Sequence, residues 1–564
     1  MRARMRLGDF LVAYLQRIGV THLFGIPGDL VINLFFKFGR RRGLKIITLS
    51  HEPGIGFAAD GYARATGRLG VVCVTYGAGG HNMVNPVAGS FSERVPILVV
   101  SGGPGEEERK LGQLIHHQAK EIESQLRIYQ ELTCAARVLE DPRTAAETVH
   151  DVVQTMWREQ RPGYLEIHRD MVETSIVVPE EIRRWDGKLE FAHSDDQKTT
   201  EAARETAARF NAARRPALIA GIETFRYKLT REIVRLAERT GAPCMTTVLG
   251  KGAFPMDHPQ YMGVHMGAIS PPSIRKRVDA ADLVINLGTL LTDMNLGSRP
   301  PSITRGKSIW AAGNKVNVSF HTYTDVGIRD FLRALARQRL RRHRERVTYA
   351  DNLHGPPAPP TRAVRVADML RELNAFLAGR RGWSVIAESG DMLFAGLDVR
   401  VGRGGAYLAQ GYYASMGFGV PGALGAELGT GQRPIVLCGD GAFQMTGSEI
   451  AHAARHGLRP VVIVMNNGGW GIFRPITKRE DLLTIPNWPY AELARSWGGE
   501  GFVAETVGEF RDALAAAAAS ASFTIIEARV DPYDLSPVSK KYIEASGRKA
   551  SVGPAVRRRT RGAP

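Results

Sequence analysis

Along the chain, short runs of apolar and β-branched residues alternate with longer stretches in which apolar positions recur every three or four residues. LKIITLS, GVVCVTYG and VPILVVSGG, within residues 44–103, are runs of the first kind, each ending in glycine or a polar turn. Continuous apolar runs of this length predict strands covered on both faces, and the periodic stretches between them predict amphipathic helices. Strands alternating with helices predict parallel α/β architecture. The pattern returns in PALIAGIET, PCMTTVLG and ADLVINLGT, and again in WSVIAESG, PIVLCGDG, PVVIVMNN and FTIIEARV. Two segments interrupt it. Residues 177–197 are polar and aperiodic and read as a linker, and a basic run at 337–346 with HGPPAPPTR (354–362), whose clustered prolines break helix and sheet alike, marks a second. The expectation is an α/β protein of three domains, each a mainly parallel sheet flanked by helices, over residues 1–176, 198–336 and 363–540. The first and third share size and pattern, which suggests related domains. After PIVLCGDG, the stretch SEIAHAARHG is expected to be helical.

The length agrees, since 564 residues exceed what one hydrophobic core serves and about three domains are expected. No apolar run approaches the ~18 residues of a membrane span, so no membrane partner is expected. The N-terminus begins like a secretory signal, but Gly8, Asp9 and Gln16 interrupt its apolar part and no small-residue cleavage site follows, so it is read as the first amphipathic helix of the fold. Four cysteines, far apart and without zinc spacing, are read as structural thiols, and a cytoplasmic location is expected. The net charge of +17 raises the question of a nucleic-acid partner. Much of that charge sits in RQRLRRHRER (337–346) and in the tail RKASVGPAVRRRTRGAP (548–564), neither of which interleaves aromatic residues. These are read as linker and solvated surface, and no nucleic-acid partner is expected.

The candidate chemistry begins where the strand PIVLC meets Gly439, Asp440 and Gly441, and the strand PVVIVM meets Asn466 and Asn467. Ligands of open α/β sheets bind at the carboxyl ends of strands. Asp440 offers a carboxylate oxygen and Asn467 an amide oxygen, both hard donors suited to Mg²⁺. Gly441 and Ala442 can present backbone N–H groups to phosphate, and Gly468 and Gly469 allow the chain to turn back so that a carbonyl completes the coordination. A Gly-Asp-Gly alone is usually a turn; two strand-end sites in this order carry more. Together they resemble the motif of thiamine-diphosphate enzymes, which opens with Gly-Asp-Gly and closes with Asn-Asn.

Two further stretches carry the same resemblance. HEPGIGFAADGYARATG (51–67) resembles the segment that bears the activating glutamate, which implies that Glu52 binds N1′ of the cofactor's aminopyrimidine ring. GYYASMGFGVPGALGAE (411–427) resembles the segment that bends the cofactor, with Met416 between its two rings and the Ala414 carbonyl accepting from its 4′-amino group. The resemblance implies further cofactor contacts from Ser389, Gly390 and Asp391 and from Gly439, Gly471 and Ile472, with Asp440, Asn467 and Gly469 as the metal ligands. It also places Glu52 and Asp440 on different subunits, so a homodimer is the minimal unit and a homotetramer is expected.

Within that family the chain resembles the 2-keto acid decarboxylases, which include pyruvate, indolepyruvate and phenylpyruvate decarboxylases; the pattern is nearest the last. FGIPGDL (24–30) supplies Asp29, and GQLIHHQ (112–118) supplies His116 and His117 where that branch has a catalytic pair, with Gln118 beside them at the substrate pocket. TYGAGGHNMVNPVAGSFSERVP (75–96) resembles its second strand-loop, and GTLLTDMN (288–295) resembles its central-domain loop near the active site. The implied reaction is non-oxidative decarboxylation of a 2-keto acid to an aldehyde and carbon dioxide. Histidines suit it because a proton must reach carbon before the aldehyde leaves. One departure stands out. Where pyruvate decarboxylases carry a glutamate after the closing motif, this chain has Phe473. An apolar wall there suits an aryl or branched side chain better than pyruvate. Loss of that acid also keeps open a carboligase of the same fold, acetolactate synthase-like or acyloin-forming, which the paired histidines oppose.

Overall fold

The computed structural model describes residues 3–297, 303–477 and 479–546; the basic C-terminal tail lies outside them. The first sheet joins His22–Gly25, Lys45–Ile47, Gly70–Val74, Ile97–Gly103, Ala135–Leu139 and Gly163–His168, and all its pairings are parallel. The last sheet joins Trp383–Ala387, Tyr407–Ala409, Arg433–Gly439, Val461–Asn466, Glu500–Ala504 and Thr524–Arg529, again all parallel. Counting each sheet's strands along the chain, both have the spatial order 2-1-3-4-6-5. The likeness suggested by the residue pattern is therefore a shared topology. In each, the order reverses between the first and third strands, and a crevice opens there beyond the carboxyl ends.

The central sheet is built differently. Its parallel strands are Pro216–Ala220, Cys244–Thr246, Tyr261–Val264, Leu283–Leu287 and Ser308–Ala312, in the order 3-2-1-4-5. A hairpin, Lys315–Val318 with His321–Thr324, extends the edge antiparallel, so the sheet is mainly and not wholly parallel.

Two expectations are corrected. The segment 177–197 is not a plain linker: Ser175–Val178 pairs antiparallel with Ala3–Arg6 and a helix spans Glu180–Arg184. The stretch SEIAHAARHG does not form an α-helix. A helix runs Asp440–Thr446, and Gly447–His452 and Ala454–His456 wind as 3₁₀ turns. There the buried Glu449 reaches across to the first domain and accepts from the Ser50 N–H at 2.9 Å.

The first and third domains share one core through the helices Glu52–Thr66 and Gly419–Thr430. The helices cross so closely that a Cβ on Gly61 would land on the Gly422 carbonyl, and one on Gly425 on the Ala58 carbonyl. Alongside, Arg64 is buried with Asp60 and Glu93, donating to Glu93 at 2.8 Å and to the Ala409 carbonyl at 2.9 Å. Removing one member of such a buried set leaves an unpaired charge, a cost of about 3–5 kcal/mol. Among the described residues no helix is long and apolar enough to cross a membrane, and all four cysteines are free.

Candidate active site

Arg433–Gly439 and Val461–Asn466 are neighbours in the middle of the last sheet, buried along nearly their whole length. Adjacent strands lie about 4.8 Å apart, so the residues that follow them, Asp440 and Asn467, stand side by side. They border a cavity of about 350 Å³. Ser389, Gly390 and Asp391 line it from the neighbouring strand's end, Ala414 and Met416 from below, and Gly469, Gly471, Ile472 and Phe473 from the closing loop. Gly439, Gly441 and Ala442 complete the set, so the cavity gathers every third-domain site residue expected from the chain.

Asp440 is 2% exposed and Asn467 3%. Burial raises the Asp440 carboxyl above its usual range, against the pull of backbone amides. Its oxygens accept from the N–H groups of Gly441 at 2.7 Å and Gly469 at 2.9 Å. Gly469 has φ +144°, and any Cβ would collide with the Leu483 carbonyl, so only glycine closes this loop. Beside the carboxylate, the buried Asn467 Oδ1 has no hydrogen-bond partner among the described residues. An orphaned amide oxygen next to a buried carboxylate is the donor set of a hard cation, and the adjoining cavity leaves room for a diphosphate ester, so these residues fit a Mg²⁺–diphosphate group.

Other members of the cavity are already engaged. Ser389 Oγ donates to the Ala414 carbonyl at 2.8 Å, holding a non-glycine residue at φ +55°. The Asp391 carboxylate accepts from the Ser536 N–H and hydroxyl, at 3.0 and 2.6 Å, and so ties this strand end to the C-terminal helix Pro537–Ala545. Met294 borders the cavity from GTLLTDMN (288–295), and residues not singled out from the sequence, Phe394, Trp470 and Tyr542, border it too, with the Phe394 and Tyr542 rings 4.8 Å apart. Glu388, just before Ser389, was also missed. Burial pushes its carboxyl up to about 7, although it accepts from the amides of Gly419 at 2.6 Å and Ser389 at 2.8 Å. A single glutamate at a strand end gives no sequence signal.

No first-domain residue lines this cavity. Its candidates gather elsewhere, beyond the carboxyl ends of the first sheet. His116 Nε2 donates to Asp29 Oδ2, His117 Nε2 stands 3.7 Å from Asp29 Oδ1, and the two imidazoles are 4.8 Å apart. His117 sits at φ +69°, a strained position for a side-chain-bearing residue. Partial burial works to raise the Asp29 carboxyl, but the hydrogen bond from His116 and the charges of both imidazoles outweigh it and hold the group below its usual range. Gln118 Oε1 accepts from the Ile115 N–H at 3.2 Å within its own turn. Glu52 opens the helix Glu52–Thr66 and accepts from Asn82 Nδ2 at 3.0 Å, its side chain 16% exposed.

Three family models match the chain: thiamine pyrophosphate enzyme, N-terminal TPP binding domain, over residues 5–128; the central domain of such enzymes over 203–338; and their C-terminal TPP binding domain over 389–528. The chain is 34% identical to the indole-3-pyruvate decarboxylase of Azospirillum brasilense, covering 96% of this chain and 99% of that one. It is 29% identical to the alpha-keto-acid decarboxylase of Mycobacterium avium (strain 104), over 91% of each chain. It is also 29% identical to pyruvate decarboxylase 1 of Pisum sativum, over 88% and 83% of the two chains.

Proposed function

The chain belongs to the thiamine-diphosphate-dependent 2-keto acid decarboxylases, and on that premise we propose that it releases carbon dioxide and an aldehyde from a 2-keto acid with an aryl or branched side chain. The observation that carries this reading is the outer wall of the 350 Å³ cavity, where Phe473 joins Ile472, Phe394, Tyr542 and Met294. Nothing acidic stands where Phe473 does, so a small polar substrate finds no partner there and a bulky apolar group finds contact.

When bound, thiamine diphosphate supplies the carbon that adds to the keto group and accepts the electron pair left by carbon dioxide. The rest is assigned to the chain's own residues. Asp440 and Asn467, with the Gly469 carbonyl, would hold a metal beside the diphosphate, and Mg²⁺ suits their oxygens. Met416 and Ala414 shape the floor. Glu52 would pair with the pyrimidine ring, with Asn82 fixing its carboxylate by the 3.0 Å hydrogen bond. Asp29, His116 and His117 are the groups placed to pass the proton that carbon must receive before the aldehyde leaves; Asp29 orients His116 through their hydrogen bond and stands beside His117.

Among the described residues, neither Glu52 nor the paired histidines border the cavity beside Asp440. We assign the complete site to a homodimer in which the first domain of one protomer faces the third domain of its partner, with a homotetramer as a pair of such dimers. Four free thiols fit a reducing cytoplasm.

The test is a panel of 2-keto acids with added thiamine diphosphate and Mg²⁺, following carbon dioxide and the organic product. Phenylpyruvate, indole-3-pyruvate or a branched-chain keto acid should give aldehyde with higher kcat/KM than pyruvate. Hydroxyketone as the main product would instead assign a carboligase, and a preference for pyruvate would overturn the substrate class.

A further inference from the structure

The central sheet has a feature that the reaction does not use. On one face, Ile219, Asn286, Trp310 and Asn317 stand in register across four neighbouring strands. The face of a covered parallel sheet is ordinarily apolar. Here Ala217, Ile219, Met245 and Val284 pack with Ile274 and Val278 of the helix Pro272–Asp279. Toward the carboxyl ends a cavity of about 370 Å³ takes over, and Asn286, Trp310 and Asn317 border it. The strand order 3-2-1-4-5 reverses beside it, which is where open α/β sheets hold their ligands.

Three side chains there have unmet hydrogen-bonding capacity. His265 is 7% exposed, borders the cavity, and makes no side-chain hydrogen bond among the described residues. Burial pushes its imidazole down to about 4, so it is neutral and offers one donor and one acceptor. Asn286 has no side-chain partner among the described residues, and Asn317 uses only its Oδ1, which accepts from Thr322 at 2.8 Å. His265 is buried and Asn286 and Asn317 are half-buried, and all three border one space. The Trp310 indole N–H is already given to the Thr289 carbonyl at 3.0 Å, so Trp310 offers its ring surface. Arg305 stands at the margin with no ion pair among the described residues.

We propose that this cavity is a second binding site, for a small heteroaromatic carboxylate whose ring lies against Trp310 and bonds to His265, Asn286 and Asn317 while its acid group pairs with Arg305. A carboxylate is favoured over a nucleotide by the turn at Gly221. The N–H groups of Gly221 and Glu223 are already given to the carbonyls of Leu287 and Gly288, at 2.8 and 3.1 Å, so that turn offers no amide cradle to a phosphate. Occupancy has a route to the active site, because one loop serves both spaces. Leu290 and Leu291 border this cavity, and Met294 borders the one beside Asp440.

The experiment is titration of the thiamine-diphosphate- and Mg²⁺-loaded protein with indole-3-acetate and, separately, adenosine monophosphate, followed by calorimetry and tryptophan fluorescence. Indole-3-acetate should bind saturably and quench fluorescence, and the quench should disappear in Trp310→Phe. Arg305→Ala, an exposed change, and Asn286→Leu should each weaken binding at least about tenfold without altering kcat/KM for the keto acid. Binding that survives both substitutions would place the ligand in the active site and overturn the proposal. No saturable binding up to about millimolar concentration, or binding of adenosine monophosphate alone, would overturn it too. None of these outcomes depends on which keto acid is turned over.

Discussion

The two groups of candidate residues in this chain are finished to different degrees. In the third domain Asp440 and Asn467 are almost wholly buried, ringed by glycine amides, and border a formed cavity. In the first domain the side chains of Asp29, His116 and His117 are 50, 56 and 36% exposed, although they rest on a sheet of the same strand order. Equal topology thus gives one interior half and one surface half. Polar contacts open to solvent are weakly held, and closing a site over them expels water and strengthens them. The contrast is what a site completed by a second copy would leave in each single chain.

Substitutions can break this comparison on either side. The largest effect is expected from Asp440→Ala, which removes the buried carboxylate beside Asn467; the purified variant should retain neither thiamine diphosphate nor metal, as measured by cofactor content after gel filtration. Normal content would detach the metal role from this half. Glu52→Gln keeps shape and the Asn82 contact but loses the proton, so turnover should fall by about 10³-fold, or ~4 kcal/mol, with cofactor content unchanged. His117→Ala should still consume a first equivalent of keto acid in a single-turnover experiment while steady aldehyde release falls by about 10²–10³-fold, the scale of general acid catalysis. Aldehyde released at the normal rate would leave the exposed triad without a part in the reaction.

Two smaller effects sharpen the picture on the buried side. The Glu388 carboxyl titrates near 7 when folded against 4.5 in its ordinary range. Its folded value is raised, so its contribution to stability is full below pH 4.5 and is lost as pH rises toward 7, on the order of 3 kcal/mol. Denaturant melts of Glu388→Gln should show a flatter pH dependence across that window than the unaltered protein; parallel curves would mean that Glu388 does not carry it. The smallest effect is one of specificity. Phe473→Glu should move the kcat/KM ratio roughly tenfold toward small keto acids, and an unchanged ratio would remove Phe473 from the substrate wall.

The sequence by itself determined the alternation of strands and helices, the three-part division and the order of the strand-end motifs. Those signals are local: apolar runs, glycine turns and proline breaks act over a few residues. The resemblance carried by Gly439–Asn467 and by the paired histidines also named the candidate residues, because strand-end motifs place chemistry beside the sheet that bears them. Tertiary structure decided what local pattern cannot encode. It wound 447–456 as 3₁₀ turns that send Glu449 to Ser50. It folded Gln118 back onto its own turn and joined the Asp391 carboxylate to Ser536. It brought Asn82 to Glu52, and it aligned Asn286, Trp310 and Asn317 by register across three strands. Register, burial and partner choice arise from contacts between segments far apart in the chain. Their free energies exist only once the sheets have formed.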